Sequence, residues 1–472
     1  MSACGRGSRK LVVKPGTTQQ DTIWLIDQTE LGIAMIVDNS DHLVGTATDG
    51  DIRCSILSGV SLDASVEEVV NEGPVTASPA QSDDEKHSAF TDLLQGRYRG
   101  RESFFLPVVD DKDRLIDVQR LTAEGTRLNK KTTRQPLQSV LVIGGAGYIG
   151  SVLSRKLLEH GYEVTVLDNL TYGDQGIAEI ESERFTLVEG DMRSTEILTD
   201  AIRGMDAVIH LGAIVGEPAS NLDPQKTLEM NYHATRLAAD ICKSHQVNRF
   251  LFASTCSVYG RAVDDRERLT EESGVNPVSL YAETKVRSEQ ALLKMATEHF
   301  SPTVFRMATI FGHSPRMRFD LVVNILTAKA ATEGTIPIFG GKQYRPFVHV
   351  ADAAQAYIDC LQAPIEDVSG QVFNVGSDEE NYRIIEIGDL VSEAFPNAVV
   401  DHRPEDTDQR SYCVDFSKIR EVLGYETEYT VVGGVDEMAE ALNGGLYGDY
   451  TDTVYHNSRS LERQLQATEA SD

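Results

Sequence analysis

The stretch VLVIGGAGYIGS, residues 140–151, constrains the fold of this chain more than any other. Four apolar residues suited to a buried strand run into a glycine-rich turn. The amphipathic segment SVLSRKLLEHG follows directly. A strand that turns at once into a helix is the opening unit of a parallel sheet with helices packed on it. Gly144, Gly147 and Gly150 lie three apart, and Gly145, Gly147 and Gly150 also satisfy GxGxxG. Glycines at these places let the turn tighten and let backbone N–H groups reach a pyrophosphate at the helix N-terminus. Alternation then continues through EVTVLDN, FTLVEGD, AVIHLGA, FLFAST and TVFRMATIFG, with helical segments between. The pattern predicts an α/β fold, a doubly wound parallel sheet with helices on both faces. After Gly312 the pattern loosens, which predicts a smaller lobe over the carboxyl edge of the sheet.

Asp168 ends EVTVLDN, where a carboxylate can accept hydrogen bonds from an adenosine ribose. The same charge repels a 2'-phosphate, and no Arg follows it directly, so NAD is favoured over NADP. Asp191, in VEGDMRS, ends the next strand and either meets the adenine edge or caps a helix.

Tyr281 and Lys285 stand four apart in SLYAETKVRSEQALL, on one face of a helix. A tyrosine ionises near pH 10, so acting as a base near neutrality costs roughly 4 kcal/mol. A nearby ammonium and a positively charged nicotinamide both favour the phenolate. Upstream, FLFASTCSVYG places hydroxyls at Ser254, Thr255 and Ser257 at a strand end, where one of them can hydrogen-bond a reacting substrate oxygen. Cys256 between them is either a base or nucleophile, or a small buried filler. The chain thus pairs a dinucleotide turn with a proton-transfer group, which makes it an enzyme candidate rather than a nucleotide binder alone.

The formal net charge of the 472-residue chain is −29. Long-range repulsion argues against nucleic acid or an anionic membrane as the main partner. Arg outnumbers Lys and both are outnumbered by Asp and Glu, an acidic, Lys-poor balance that suits a halophilic, salt-rich cytoplasm. Cys4, Cys54, Cys242, Cys256, Cys360 and Cys413 are scattered without a CxxC pair, so neither a disulfide framework nor a metal site is expected. No apolar run is long enough to span a membrane, and MSACGRGSRK lacks the apolar core of a signal peptide. The expectation is a cytoplasmic protein.

Ahead of the glycine turn, residues 1–15 read as a loose leader and residues 16–125 as a repeat. In one half, a strand from Ile33 to Val37 leads through a turn, Asp38 to Asp41, into a second strand and a helix that opens at Asp49 or Asp51. In the other, a strand from Phe104 to Val109 leads through a turn, Asp110 to Asp113, into a second strand. Residues 126–138 are polar and basic with Pro136, a plausible linker. The main domain is expected over 139–443. The polar tail, 444–472, is read as either a final helix or disorder.

Residues 138–443 resemble the extended short-chain dehydrogenase/reductase family, in its NAD-dependent sugar-nucleotide epimerase/dehydratase branch. The motifs that carry the resemblance are GGAGYIG, LDNLTYG, EGDMR, HLGA, STCSVYG and YAETK, in that order. The resemblance implies Tyr281 as catalytic base, Lys285 as the residue that lowers its pKa and holds the nicotinamide ribose, and Thr255 as the Ser/Thr partner. It implies an NAD site made by Gly144, Gly147, Tyr148, Ile149 and Gly150, by Asp168 and Asn169, by Asp191 and Met192, and by Leu211 and Ala213, together with Tyr281 and Lys285. A nucleotide-sugar substrate is implied as well, held by Thr255, by Thr309, by Arg345 in GGKQYRPFVHV, and by Arg403 in RPEDTDQRSY with Arg410 as its rival. Homodimerisation is a family-level expectation.

Departures from the family narrow the chemistry. The 4,6-dehydratases carry an Asp-Glu pair directly after the catalytic Thr, where this chain has Cys256 and Ser257. Without that pair, elimination of a C6 hydroxyl lacks its acid and base. Thr309 stands where galactose epimerases carry a substrate-binding Asn, and Pro346 replaces the acid that often follows the diphosphate Arg. The expected reaction is epimerisation of a nucleotide-sugar at C4 through a transient 4-keto intermediate. Dehydratase, decarboxylase and 4-ketosugar reductase are the alternatives on the same fold, and an adenine-nucleotide sensor is the non-enzymatic one.

The N-terminal half resembles a tandem CBS-domain pair. LVGTATDGDIRCSIL matches that family's Gly-x-x-Thr-x-x-Asp signature with Gly45, Thr48 and Asp51, and the second copy lacks the Thr and Asp. The resemblance implies an adenine nucleotide held by Thr48 and Asp51, or a pair that serves only as a dimer-forming scaffold.

Overall fold

The computed structural model describes residues 11–29, 33–48, 51–52, 55, 60–71, 73–79, 103–122, 137–262, 267–297, 299–404 and 410–469. The chain forms two compact units that divide between residues 135 and 136. That division falls inside the segment read as a linker, most of which lies outside the described residues, as do Cys4, Cys54, Asp49 and the helix-like start of the second repeat half.

In the first unit, strand Ile33–Val37 pairs antiparallel with Leu43–Thr48 and parallel with Val12–Val13. A second hairpin joins Ser103–Val109 to Leu115–Thr122. The two turns are built alike. The Asp38 carboxylate accepts N–H bonds from Ser40 and His42, and the Asp110 carboxylate accepts them from Lys112 and Arg114. Asp41 and Asp113 both take positive φ, 67° and 57°. The turns then bond each other reciprocally, Leu43 N to Asp113 O at 3.0 Å and Leu115 N to Asp41 O at 2.9 Å. The strand–turn–strand repeat therefore meets itself about a local two-fold.

The second unit holds a seven-stranded sheet, parallel throughout. Its order is Val372–Val375, Ser301–Met307, Arg249–Thr255, Ala207–His210, Ser139–Ile143, Glu163–Asp168 and Phe185–Glu189. The chain starts at Ser139–Ile143, builds outward to Phe185–Glu189, then crosses back to pair Ala207–His210 with the first strand. Strand order reverses there, and the crevice at the carboxyl ends of these two strands is where a ligand fits. The central strands are buried runs, as in Arg249–Thr255, because helices cover both faces, whereas the edge strand Phe185–Glu189 is partly exposed. Six of the seven strands follow from the sequence. Val372–Val375 does not, because only its pairing with Ser301–Met307 makes so short a segment a strand.

The smaller lobe is built on Thr309–Phe311, Tyr344–His349 and Asn381–Arg383, and on the pair Thr335–Phe339 and Val399–Arg403. Helices Val322–Glu333, Ile384–Ala394 and Val431–Asn443 pack on it around Phe311, Phe347, Ile338 and Val391. The segment past residue 443 belongs to this unit and not to a separate tail. Tyr447, Tyr450 and Tyr455 pack around Phe319, and a helix runs from Asn457 to Glu469. The polar composition of the tail reflects the outer face of that helix, while Leu461 on its inner face is buried.

Candidate active site

Tight backbone approach makes the glycine turn. Gly144 has φ 82°, and a Cβ there would lie 2.6 Å from the Gly212 nitrogen. A Cβ on Gly150 would lie 2.5 Å from the Gly144 oxygen. Only glycine permits the first strand, the turn and the loop after Ala207–His210 to close up in this way. Gly147 then stands at the N-terminus of helix Tyr148–Glu159. Asp168 accepts N–H bonds from Ala146 at 3.0 Å and Leu170 at 2.9 Å, which ties the turn to the end of the second strand. Burial raises the Asp168 carboxyl, and those two N–H groups oppose the rise.

A cavity of about 770 Å³ opens over this crevice. Gly144, Gly147, Tyr148, Ile149, Gly150, Asp168, Asn169, Met192, Leu211 and Ala213 line it, as do Thr255, Tyr281, Lys285, Thr309 and Arg345. Tyr148 spends its hydroxyl on the Gly312 oxygen and on Asn324, so its side chain braces the wall. Two residues fall elsewhere. Both oxygens of Asp191 are taken by Arg193, Asp191 lies outside this lining, and Ser194 caps the helix that follows. Arg403 lies half exposed against Asp401 and over the Phe339 ring, also outside the lining. Arg410 lines the cavity instead, 3.4 Å from the Ser257 hydroxyl. Thr48 and Asp51, in the first unit, bond each other, Oγ1 to Oδ2 at 2.6 Å.

Tyr281 and Lys285 sit on helix Leu280–Lys294, capped by Ser279. Thr255 ends strand Arg249–Thr255 and hydrogen-bonds the Tyr281 phenol. The Lys285 ammonium donates to the Ala253 oxygen at 2.7 Å and lies 4.7 Å over the Phe252 ring. Burial pushes the Tyr281 phenol up to about 12, opposed first by Arg318, then by the Thr255 hydrogen bond. Burial pushes Lys285 down to about 7, opposed by Glu289. Arg318 is the charge that most opposes the rise of the phenol, and the Lys285 ammonium lies 5.9 Å from the centre of the Tyr281 ring. Cys256 is buried with its thiol on the Arg306 oxygen at 3.2 Å, and burial pushes that thiol far up, so it acts as filler.

Residues the sequence did not single out complete the walls. Arg316, Arg318 and Asp320 come from PRMRFD, where charges alternate inside an otherwise apolar stretch, a signal that could have been read. Asn231 lies on a π-helical turn and bonds both the nitrogen and the oxygen of Ile214 and the Thr284 hydroxyl. It pins the loop after strand Ala207–His210 to the Tyr281 helix. Among the described residues no cluster of His, Cys, Asp or Glu could hold a metal ion, and no helix is long and apolar enough to cross a membrane.

A turn that only glycine can make, a strand-end carboxylate and a Tyr–Lys helix face one cavity, and residues 140–376 match the family described as "NAD dependent epimerase/dehydratase family". The chain belongs to the NAD-dependent epimerase/dehydratase family. Its cofactor is NAD, and solved relatives of the same fold are NAD complexes. This epimerase/dehydratase is 28% identical over 381 residues to UDP-glucuronic acid decarboxylase 4 of Arabidopsis thaliana, covering 79% of this chain and 83% of that protein. It is 27% identical over 329 residues to UDP-glucose 4-epimerase of Corynebacterium glutamicum, covering 65% and 96%. The structure of UDP-glucuronic acid 4-epimerase from Bacillus cereus, in complex with UDP-glucuronic acid and NAD, superposes with a TM-score of 0.60 at 25% identity, covering 66% of this chain and all of that one.

Proposed function

We propose that this epimerase/dehydratase inverts a nucleotide-sugar at C4. The observation that carries the reading is the grouping of Tyr281, Thr255 and Lys285 on one cavity wall without a second acid–base pair beside Thr255. Tyr281 removes the proton of the sugar hydroxyl and later returns it. NAD would be held by the glycine turn and Asp168 and would supply a reversible hydride acceptor. Thr255 orients the reacting hydroxyl, and Arg345 and Arg410 clamp the diphosphate through their planar forks. The 4-keto sugar turns in the cavity between the two transfers. Cys256 is buried away from the cavity, so elimination from C6 lacks a partner for Tyr281.

Arg318 favours one second reading. It lines the cavity beside Tyr281 and could take a C6 carboxylate, which a decarboxylase or a uronate epimerase would need. NMR of the products from UDP-, GDP-, dTDP- and CDP-sugars and from UDP-glucuronic acid decides between them. A C4 epimer with no net NADH supports the proposal. A 4-keto-6-deoxy sugar, a pentose or stoichiometric NADH overturns it.

The repeat in the first unit is read as a CBS pair, with Thr48 and Asp51 offering a ribose site for an adenine nucleotide that regulates turnover. The protein is read as a homodimer working in a salt-rich cytoplasm, in keeping with its charge of −29. Titration with AMP and ATP, read by heat of binding and by turnover, tests the regulatory part.

A further inference from the structure

We infer that the chain beyond residue 443 forms part of the cofactor site. Asn457 and Leu461 of the C-terminal helix, together with Arg316, close the adenosine–pyrophosphate half of the cavity. The family match ends at residue 376, so nothing in it assigns a role to this segment. The helix Asn457–Glu469 is fastened where that half lies. Gln464 Nε2 donates to the Thr171 oxygen at 2.6 Å, three residues beyond Asp168. Leu461 is buried in the cluster that contains Ile143, Leu167 and Met192, with Tyr172 against it. The Asn457 backbone nitrogen donates to Asp320 Oδ2 at 3.0 Å, and Asp320 in turn holds Arg318.

Two polar groups at this end are buried and unsatisfied. Arg316 is 1% exposed, and its Nε and Nη2 have no hydrogen-bond partner among the described residues. Its guanidinium lies 4.6 Å over the Tyr172 ring. Its Cβ is adjacent to the glycine turn, since a Cβ built on Gly176 would lie 2.8 Å from both the Ala146 oxygen and the Arg316 Cβ. Asn457 is 5% exposed, and its Oδ1 likewise has no partner. Both residues line the cavity. Leaving such groups without partners is costly, the guanidinium most of all. One offers donors in a planar fork, the other an acceptor. A diphosphate matches the first, and a ribose hydroxyl or an adenine amino group matches the second. Leu461 adds an apolar wall for the base. A cofactor roofed in this way is retained from one turnover to the next, which suits a reaction that restores NAD and rests on NAD as the cofactor.

The test is titration of NAD and of ADP-ribose, which lacks the nicotinamide, against the full chain stripped of cofactor. Wild type, Arg316→Gln and Asn457→Ala are compared after circular dichroism has verified that each is folded. Arg316→Gln is expected to weaken both ligands roughly tenfold to a hundredfold, and Asn457→Ala roughly threefold to tenfold. For each variant the factor is the same for the two ligands. A third variant, ending at residue 456, is expected to lose NAD during gel filtration while wild type keeps it. Unchanged affinities in both point variants would overturn the inference, as would loss of NAD affinity with ADP-ribose unaffected. A wild type that bound neither ligand would sink the cofactor assignment itself, and this inference with it.

Discussion

Arg306 and Glu289 form an ion pair, Nη2 to Oε2 at 2.8 Å, with both side chains less than a tenth exposed. Glu289 lies two turns beyond Tyr281 on the same helix, and Arg306 lies on the strand beside the one that ends in Thr255. Ser254 bonds Glu289, and Arg306 donates to the Tyr259 hydroxyl at 3.0 Å. The pair therefore fastens the base-bearing helix to the hydroxyl-bearing strand. Glu289→Gln keeps the shape but leaves a buried guanidinium without its counter-charge. A loss of about 3–5 kcal/mol is expected in urea unfolding, with a drop in kcat as Thr255 and Tyr281 lose register. An unchanged unfolding midpoint would contradict this role.

Tyr281→Phe removes one oxygen and leaves the cavity otherwise as it is. Turnover is expected to fall by roughly a hundredfold to ten-thousandfold, the range of a general base, while NAD stays bound. Single-turnover kinetics with mass spectrometry of the bound cofactor checks both halves. Activity close to that of wild type would remove the phenol from the reaction.

The two candidate diphosphate arginines separate by position. Arg410 lines the cavity, whereas Arg403 is half exposed against Asp401. Arg410→Ala is expected to raise KM for the nucleotide-sugar roughly tenfold to a hundredfold, and Arg403→Ala to change it less than about twofold. The reverse order in steady-state kinetics would restore Arg403 to the site.

Lys285 makes stability depend on pH in a defined window. Burial holds its folded-state value near 7, below the ordinary 10.5. Between those values the unfolded chain binds more protons than the folded one, so stability rises with pH there. Below about 7 both states carry the charge and this contribution is flat. The unfolding free energy of wild type relative to Lys285→Met, both free of cofactor, is expected to climb from pH 7 towards 10.5. A difference that stays level across that range would show that the ammonium is not disfavoured by burial.

What could be read along the chain is what backbone and local spacing impose. The glycine turn, Asp168 at a strand end and the Tyr281–Lys285 spacing are each set within one element and its neighbours, so residue type and interval suffice. Six strands of the main sheet were legible for the same reason, and so was the N-terminal repeat with its paired Asp turns. The rest depended on which distant segments come together. Arg410 rather than Arg403 faces the cavity, and Arg403 lies over the Phe339 ring instead. The pair Arg306–Glu289, the short strand Val372–Val375 and the Asn231 clamp each join residues far apart in sequence. The same is true of Asn457 and Leu461, which polar composition assigned to a tail and which packing places on the wall of the cofactor cavity. Local backbone chemistry determines what a residue can do, and tertiary packing alone decides which residues share one enclosed volume.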